Sequence, residues 1–329
     1  MEYRRLGKSG LQLSVFSFGS WVTFARQVTC PAARDMMALA YDHGINFFDN
    51  AEVYEKGESE ILMGATIRQL AWPRDTYCLS SKVYWGGDKP TQRGLHRKHV
   101  TEACHAALKR LGVDYLDLYF CHRPDIETPI EETVRAMHDL VSQGKVLYWG
   151  TSEWNAQQIT EACAVARARG LTPPAMEQPM YHLFHREKFE KDLLPLFRDH
   201  GLGTTTFCPL AMGILTGKYS EGIPQGSRFS LTGYEWLRAR LENEEGKMQL
   251  EKTRRLHALA QEAGLAVHHL ALLWCLQNPH VSTVILGASR IEQLRDNLGA
   301  LAHAGKMTPL LMEDIENIIE NKPEPNKHF

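Results

Sequence analysis

Paired cysteines, long apolar runs and an excess of either charge are all missing from this sequence. Its seven cysteines (Cys30, Cys78, Cys104, Cys121, Cys163, Cys208 and Cys275) stand singly, with no CxxC. An odd, scattered set argues against a disulfide framework or a zinc site and fits a reducing cytosol. No stretch approaches the ~18 uninterrupted apolar residues of a membrane span, and the opening MEYRRLGKSG has no apolar signal core. Neither membrane spanning nor secretion is expected. A formal net charge of −2 gives no general attraction to nucleic acid or to an anionic membrane. The local run Arg93, His96, Arg97, Lys98, His99 reads as a solvated helix start. HExxH and HxxxH are absent, and His268 and His269 are adjacent rather than helically spaced, so no metal is expected. No GxGxxG follows a predicted strand, which removes the usual dinucleotide-binding fingerprint.

What remains is the composition of a globular protein able to bury a large core, with 43% hydrophobic and 23% charged residues among 329. That length exceeds ~100–200 residues per domain, yet α/β barrels routinely run to ~250 or more as one domain, so residues 1–329 are read as a single domain. After a hairpin turning at Gly7-Lys8-Ser9-Gly10, short apolar runs recur at FSFG (from Phe16), INFFD (Ile45), YCLSSK (Tyr77), YLDLYFCH (Tyr115), KVLYWG (Lys145), AMEQ (Ala175), GTTTF (Gly203) and STVILG (Ser282). Helical patterns separate them, near 32–42, 58–70, 97–111, 156–169, 187–199, 247–263 and 268–277. Another follows His122, where Thr128 suits an N-cap, Pro129 the first helical position and Glu131 a capping box. A terminal helix over 308–321 would follow the last strand. Eight strands alternating with helices predict a (β/α)8 barrel with an N-terminal hairpin and extra C-terminal helices; an open doubly wound sheet is the alternative. The stretch 209–245 is long for a strand-to-helix loop and is read as a binding loop or lid.

Asp49, Lys82 and His122 each sit where an apolar run breaks into loop. Alternation along a strand puts Phe47 with Asp49, Cys78 and Ser80 with Lys82, and Leu118 and Phe120 with His122. If those faces point inward, the three meet at the C-terminal mouth of the barrel, where such folds place their sites, and Tyr54 in the loop after Asp49 can fold over them. The set matches what reducing a carbonyl requires. An ordinary tyrosine, with a pKa of about 10, is a reluctant proton donor, and a nearby ammonium, Lys82, would lower that value. Asp49 would keep Lys82 charged, and His122 would hydrogen-bond the substrate oxygen. Singly, each has a plain structural explanation; it is the joint appearance at successive strand ends that points to chemistry. Gly287-Ala288-Ser289-Arg290 closes the last strand and opens a helix, with a glycine for close approach and an arginine fork, suited to a phosphate.

FFDNAEVY, SSKVYWGG, YFCHRPD, YWGTSEWN, FCPLAMGILTGKY and ILGASRIEQLRDN, in this order, resemble the aldo-keto reductase superfamily. WVTF, RGLHRKHV and TPIEETVRAM resemble its branch containing the β subunits of voltage-gated potassium channels and their bacterial relatives. The resemblance runs from about Tyr3 to Pro323. It implies an NADP(H)-dependent reductase whose catalytic tetrad is Asp49, Tyr54, Lys82 and His122, acting on a small-molecule carbonyl compound. It further implies that Ser289, Arg290, Gln293 and Asn297 hold the adenosine 2′-phosphate and adenine, with Gly287 beside them. Ser152 and Gln178 would meet the nicotinamide carboxamide and Phe207 its ring. Cys208, Pro209, Leu210, Ala211, Met212, Gly213, Lys218 and Arg228 would follow the pyrophosphate, and Ser20, Trp21 and Asp49 would complete the cofactor contacts. Trp21, Tyr54, Trp85 and His122, with Tyr84 and Trp236 near, would line the substrate side. The channel relatives imply a four-fold homo-oligomer, and a β-subunit-like NADP(H)-sensing protein is the alternative function. Animal channel subunits tend to carry asparagine at the His122 position, and channel relatives commonly have serine-arginine where this chain has Ser152-Glu153 and tryptophan-serine where it has Phe207-Cys208.

Overall fold

The first residues form a hairpin, β1 (Tyr3–Arg5) against β2 (Gln12–Ser14). At its turn Gly7 adopts φ +57°, and a Cβ there would come within 2.2 Å of the Gly201 carbonyl oxygen, so only glycine fits. The computed structural model describes residues 1–233 and 235–324.

Eight parallel strands follow: β3 (Phe16–Gly19), β4 (Phe47–Asp49), β5 (Cys78–Val83), β6 (Leu116–Cys121), β7 (Val146–Ser152), β8 (Met176–Gln178), β9 (Gly203–Thr206) and β10 (Thr283–Leu286). They pair in sequence order, and β10 closes the ring by pairing with both β9 and β3. The alternating strand-and-helix pattern therefore resolves as a closed barrel rather than an open sheet. Closure leaves no exposed sheet edge, and helices cover the outside, so β5 and β6 are buried at every position.

The helices are α1 (Cys30–Asp42), α2 (Glu58–Leu70), α3 (Arg97–Leu111), α4 (Ile130–Ser142), α5 (Ala156–Arg169), α6 (Leu194–Asp199), α7 (Glu235–Glu242), α8 (Glu244–Glu262), α9 (Val267–Gln277), α10 (Ile291–Gly299) and α11 (Pro309–Ile319). The basic run before α3 is its start: the His96 side chain accepts from the His99 amide, Arg97 pairs with Asp139 and Lys98 with Glu102. Two helical segments depart from the pattern here. The expected capping box on Thr128 does not form: α4 begins at Ile130, so Pro129 stands at the N-cap rather than the first helical position and Thr128 lies one residue too early, its hydroxyl donating to Asp125 at 2.7 Å while Glu131 pairs with Arg135. The helix expected over 187–199 is broken into a wide turn, Lys188–Asp192, and the short α6, whose second residue is Pro195. A proline has no N–H to donate and clashes with the preceding turn, so the helix restarts around it.

The described residues pack as two units: Met1–Pro179, Asp192–Phe207 and Pro279–Arg295 form the first, and those of Met180–Lys191, Cys208–Asn278 and 296–324 the second. The first holds the hairpin and the barrel. Its interior contains Leu6 and Leu13 from the hairpin with Phe47, Cys78, Leu118, Phe120, Met176 and Ile285. Each fully buried side chain of this size contributes about 1.5–3 kcal/mol. Two residues further along the same strand faces come Asp49, Ser80, His122 and Gln178, so the packed apolar layers set the height and direction of the polar ones. In the second unit the predicted long loop contains short turns at Ala211–Thr216 and Arg228–Ser230, and α7 lies within it. Among the described residues no single helix is long and apolar enough to cross a membrane.

Candidate active site

Lys82 is fully buried, and its ammonium is bound on three sides: by Asp49 Oδ2 at 2.6 Å, the Asn50 carbonyl at 2.8 Å and the Tyr54 hydroxyl at 3.1 Å. Burial alone would depress this amine. Asp49 and Tyr54 outweigh it and hold the ammonium above its ordinary range. The Asp49 carboxylate is itself oriented, since its Oδ1 accepts from Ser80 Oγ at 2.7 Å and from Gln178 Nε2 at 3.2 Å. Gln178 is fixed in turn by Thr205 at 3.1 Å. Four strands, β4, β5, β8 and β9, thus converge on one buried ion pair.

Tyr54 lies in the loop after β4, just before three consecutive residues of positive φ, Glu55, Lys56 and Gly57. Non-glycine residues in that region cost of order 1–3 kcal/mol each and persist where the surroundings impose them. The expected net lowering of the Tyr54 pKa is not what the geometry gives. Burial raises it more than the Lys82 ammonium lowers it, with Asp49 adding to the rise.

His122 follows β6, its amide donating to the Val83 carbonyl at 3.0 Å. Its ring meets Tyr54 edge-on at 5.8 Å between centroids and Trp85 at 5.2 Å. Burial, then the Lys82 and Arg123 charges, pushes the imidazole well below its ordinary pKa, so it is neutral at pH 7. Its Nδ1 is buried with no hydrogen-bond partner among the described residues. Trp85 carries Arg123 over its face at 5.5 Å. The four residues read from the strand ends are therefore brought together, and Trp85 joins them.

The remaining candidates fall into two sets. In the first unit Ser20 donates to the Asp49 carbonyl at 3.1 Å, and Trp21 follows it, partly exposed. Ser152 donates to the Gln178 carbonyl at 2.9 Å, and Arg123 reaches Ser152 at 3.5 Å. Phe207 packs on the barrel interior. Nothing lies within 4 Å of where a Gly287 Cβ would sit. Ser289 donates to Gln293 Oε1 through its amide at 3.0 Å and its hydroxyl at 3.1 Å, and Arg290 is exposed beside them. That small polar platform at the start of α10, with an open glycine before it, fits a phosphate. In the second unit lie Cys208, Pro209, Leu210, Ala211, Met212, Gly213, Lys218, Arg228 and Asn297. Cys208, Ala211, Met212 and Gly213 all have positive φ. The Ala211 and Gly213 amides donate to the Cys208 and Leu210 carbonyls at 2.9 and 2.8 Å, which closes the turn. Trp236 is 47% exposed on α7.

Ser80, Thr205, the Asn50 carbonyl and Arg123 were not singled out from the sequence. Ser80 was within reach, since it shares the face of Lys82 two residues on. A second buried pair, Glu52 with His99 at 3.5 Å, supports the next loop: Glu52 Oε1 accepts from the Tyr84 amide at 2.7 Å.

A barrel carrying a buried lysine between an aspartate and a tyrosine, with a neutral histidine beside them, defines a class. The chain belongs to the aldo/keto reductase family, whose model matches residues 16–320. A similar relative is the "Probable voltage-gated potassium channel subunit beta" of Arabidopsis thaliana, 48% identical over 325 residues that cover 98% of each chain.

Proposed function

We propose that this protein is an NADPH-dependent reductase of aldehydes, and of some ketones, in which Tyr54 donates the proton. The observation that carries this reading is the single ammonium of Lys82 shared between Asp49 at 2.6 Å and Tyr54 at 3.1 Å. Bound NADPH would supply the hydride to the carbonyl carbon. Ser289, Arg290, Gln293 and Asn297 would hold its adenosine end, Arg290 favouring the 2′-phosphate and hence NADP over NAD. Ser152 and Gln178 would hold the carboxamide, and Phe207 would stack on the ring.

The protein's own part is the proton. Burial keeps Tyr54 protonated throughout the neutral range, so the acid is present when needed. As negative charge grows on the carbonyl oxygen, Tyr54 releases its proton, and the phenolate left behind faces the ammonium 3.1 Å away. Lys82 thus favours the charged product of the transfer more than the starting phenol, which is what accelerates the step. Neutral His122 offers one N–H to the same oxygen and fixes its approach. Trp21 and Trp85 would give the substrate an aromatic wall. The proposal includes a cytosolic homotetramer, which sedimentation would test.

Loss of the NADPH absorbance band with a panel of aldehydes measures the activity. Tyr54→Phe should lower kcat by about 10²–10⁴-fold, the usual worth of a positioned acid. Unchanged turnover in that variant would remove Tyr54 from the role. The likeness to a channel β subunit favours a second reading, an NADP(H)-sensing subunit that docks on a channel. Tight nucleotide binding without turnover on any carbonyl compound would select it.

A further inference from the structure

Outside the barrel, the second unit brings together three side chains whose sequence spacing pointed away from a joint role. His268 and His269 are adjacent near the start of α9, about 100° apart around the helix. Both nevertheless reach Asp296 of α10. His268 Nε2 lies 2.8 Å from Asp296 Oδ2, and His269 Nε2 lies 3.0 Å from Oδ1 and 2.8 Å from the Asp296 carbonyl oxygen. The rings meet at 4.4 Å between centroids, and the three donor atoms lie within 4.8 Å of one another.

We propose that His268, His269 and Asp296 bind a divalent first-row transition ion, with Zn2+ as the best fit. Two imidazoles and one carboxylate are a borderline donor set of the kind that zinc takes, leaving a fourth position for water. Bonds of about 2.0–2.1 Å in a tetrahedron put the donor atoms about 3.3 Å apart. The two histidine–aspartate spacings of 2.8 and 3.0 Å then need to open by a few tenths of an ångström, and the two imidazole nitrogens, which lie within 4.8 Å of one another, take up the third edge. Each Nε2 would present its lone pair to the ion, with the ring proton on Nδ1, so that His269 exchanges its hydrogen bond to the Asp296 carbonyl oxygen for the metal bond. The Asp296 side chain is 57% exposed while the His268 and His269 side chains are 17% and 10% exposed. One face is thus open for entry and two ligands are already ordered. Against this, the ligands stand at the positive end of the α9 dipole, which disfavours a cation. The affinity expected is therefore micromolar rather than that of a structural zinc finger. The competing explanation is a purely structural clasp in which Asp296 ties α9 to α10.

Zn2+ titrated calorimetrically into the metal-free full chain separates the two. The expected result is one-to-one binding at micromolar concentration, and Co2+ should give the intense visible bands of a tetrahedral nitrogen-oxygen site. His268→Gln and Asp296→Asn, both at partly exposed positions, should each weaken binding at least tenfold with unchanged circular dichroism. A crystal soaked in Zn2+ should show an anomalous peak among the three side chains, a readout that requires no variant. Absence of one-to-one binding, full retention of affinity in both variants, or a peak elsewhere would overturn the proposal.

Discussion

Asp49→Asn should expose how much the fold depends on the ion pair at its centre. Asparagine keeps an oxygen for Ser80 and Gln178, but it turns an amide donor toward the fully buried Lys82 ammonium. Removing one partner of a buried pair costs about 3–5 kcal/mol, because the other charge is left uncompensated. Lys82→Met alone leaves a buried carboxylate that still has two neutral donors, and its loss should fall at the lower end of that range. The double variant removes both charges. Its remaining penalty is the orphaned Asn50 carbonyl, about 1–3 kcal/mol, so it should be more stable than Asp49→Asn. The pH dependence carries a second signature. In the wild type the Lys82 pKa is raised, so its contribution is fully present below the unfolded lysine value of about 10.4 and is lost as pH rises through the folded value. In Asp49→Asn the folded pKa falls below the unfolded one, the unfolded chain then binds more protons, and stability should rise with pH across the alkaline range. Urea unfolding at several pH values measures both effects. Losses that simply add in the double variant, or an Asp49→Asn stability independent of pH, would refute the reasoning.

The alkaline limb of kcat/KM should lie above the ordinary tyrosine value of 10.0, since Tyr54 is raised by burial; a limb in the neutral range on a stopped-assay pH profile would contradict it. His122→Asn should keep cofactor affinity, read by nucleotide fluorescence quenching, while lowering turnover by about 10-fold or more through loss of substrate orientation. Gly64→Ala should destabilise the barrel by about 1–3 kcal/mol in thermal or urea unfolding. A Cβ on Gly64 of α2 would meet the Leu111 carbonyl oxygen of α3 at 2.3 Å, and backbone cannot step aside as a side chain can.

The barrel was legible because its strands are short, are spaced by helical patterns and, β7 apart, are buried at every position, as a parallel, helix-covered sheet requires. The meeting of Asp49, Lys82 and His122 was legible for the same reason. Parity along INFFD, CLSSK and YFCH decides which side chains face inward, and the apolar members Phe47, Cys78 and Phe120 carry Asp49, Lys82 and His122 with them. Four features were missed, and only one of them had a signal in the residues. The third ligand of Lys82 is the Asn50 carbonyl, a main-chain atom that no residue type advertises. The sign of the Tyr54 shift depends on how much protein surrounds the hydroxyl, a quantity of tertiary packing. The start of α8 was placed three residues late, although Asn243, whose side chain accepts from the Gly246 amide at 2.8 Å, carries an ordinary N-cap signal. Asp296, 27 residues from His269, could be joined to the histidine pair only by the packing of α9 and α10.

Hydride delivery itself is the central claim, and isotopic transfer tests it most directly. NADPH deuterated at the reactive face of the nicotinamide C4 is incubated with the protein and an aldehyde, and the product is read by mass spectrometry. The account predicts an alcohol with one deuterium on the former carbonyl carbon in the wild type, and the same product formed about 10²–10⁴-fold more slowly by Tyr54→Phe. Nucleotide bound firmly with no deuterated alcohol from any aldehyde, or equal rates in the two proteins, would contradict it.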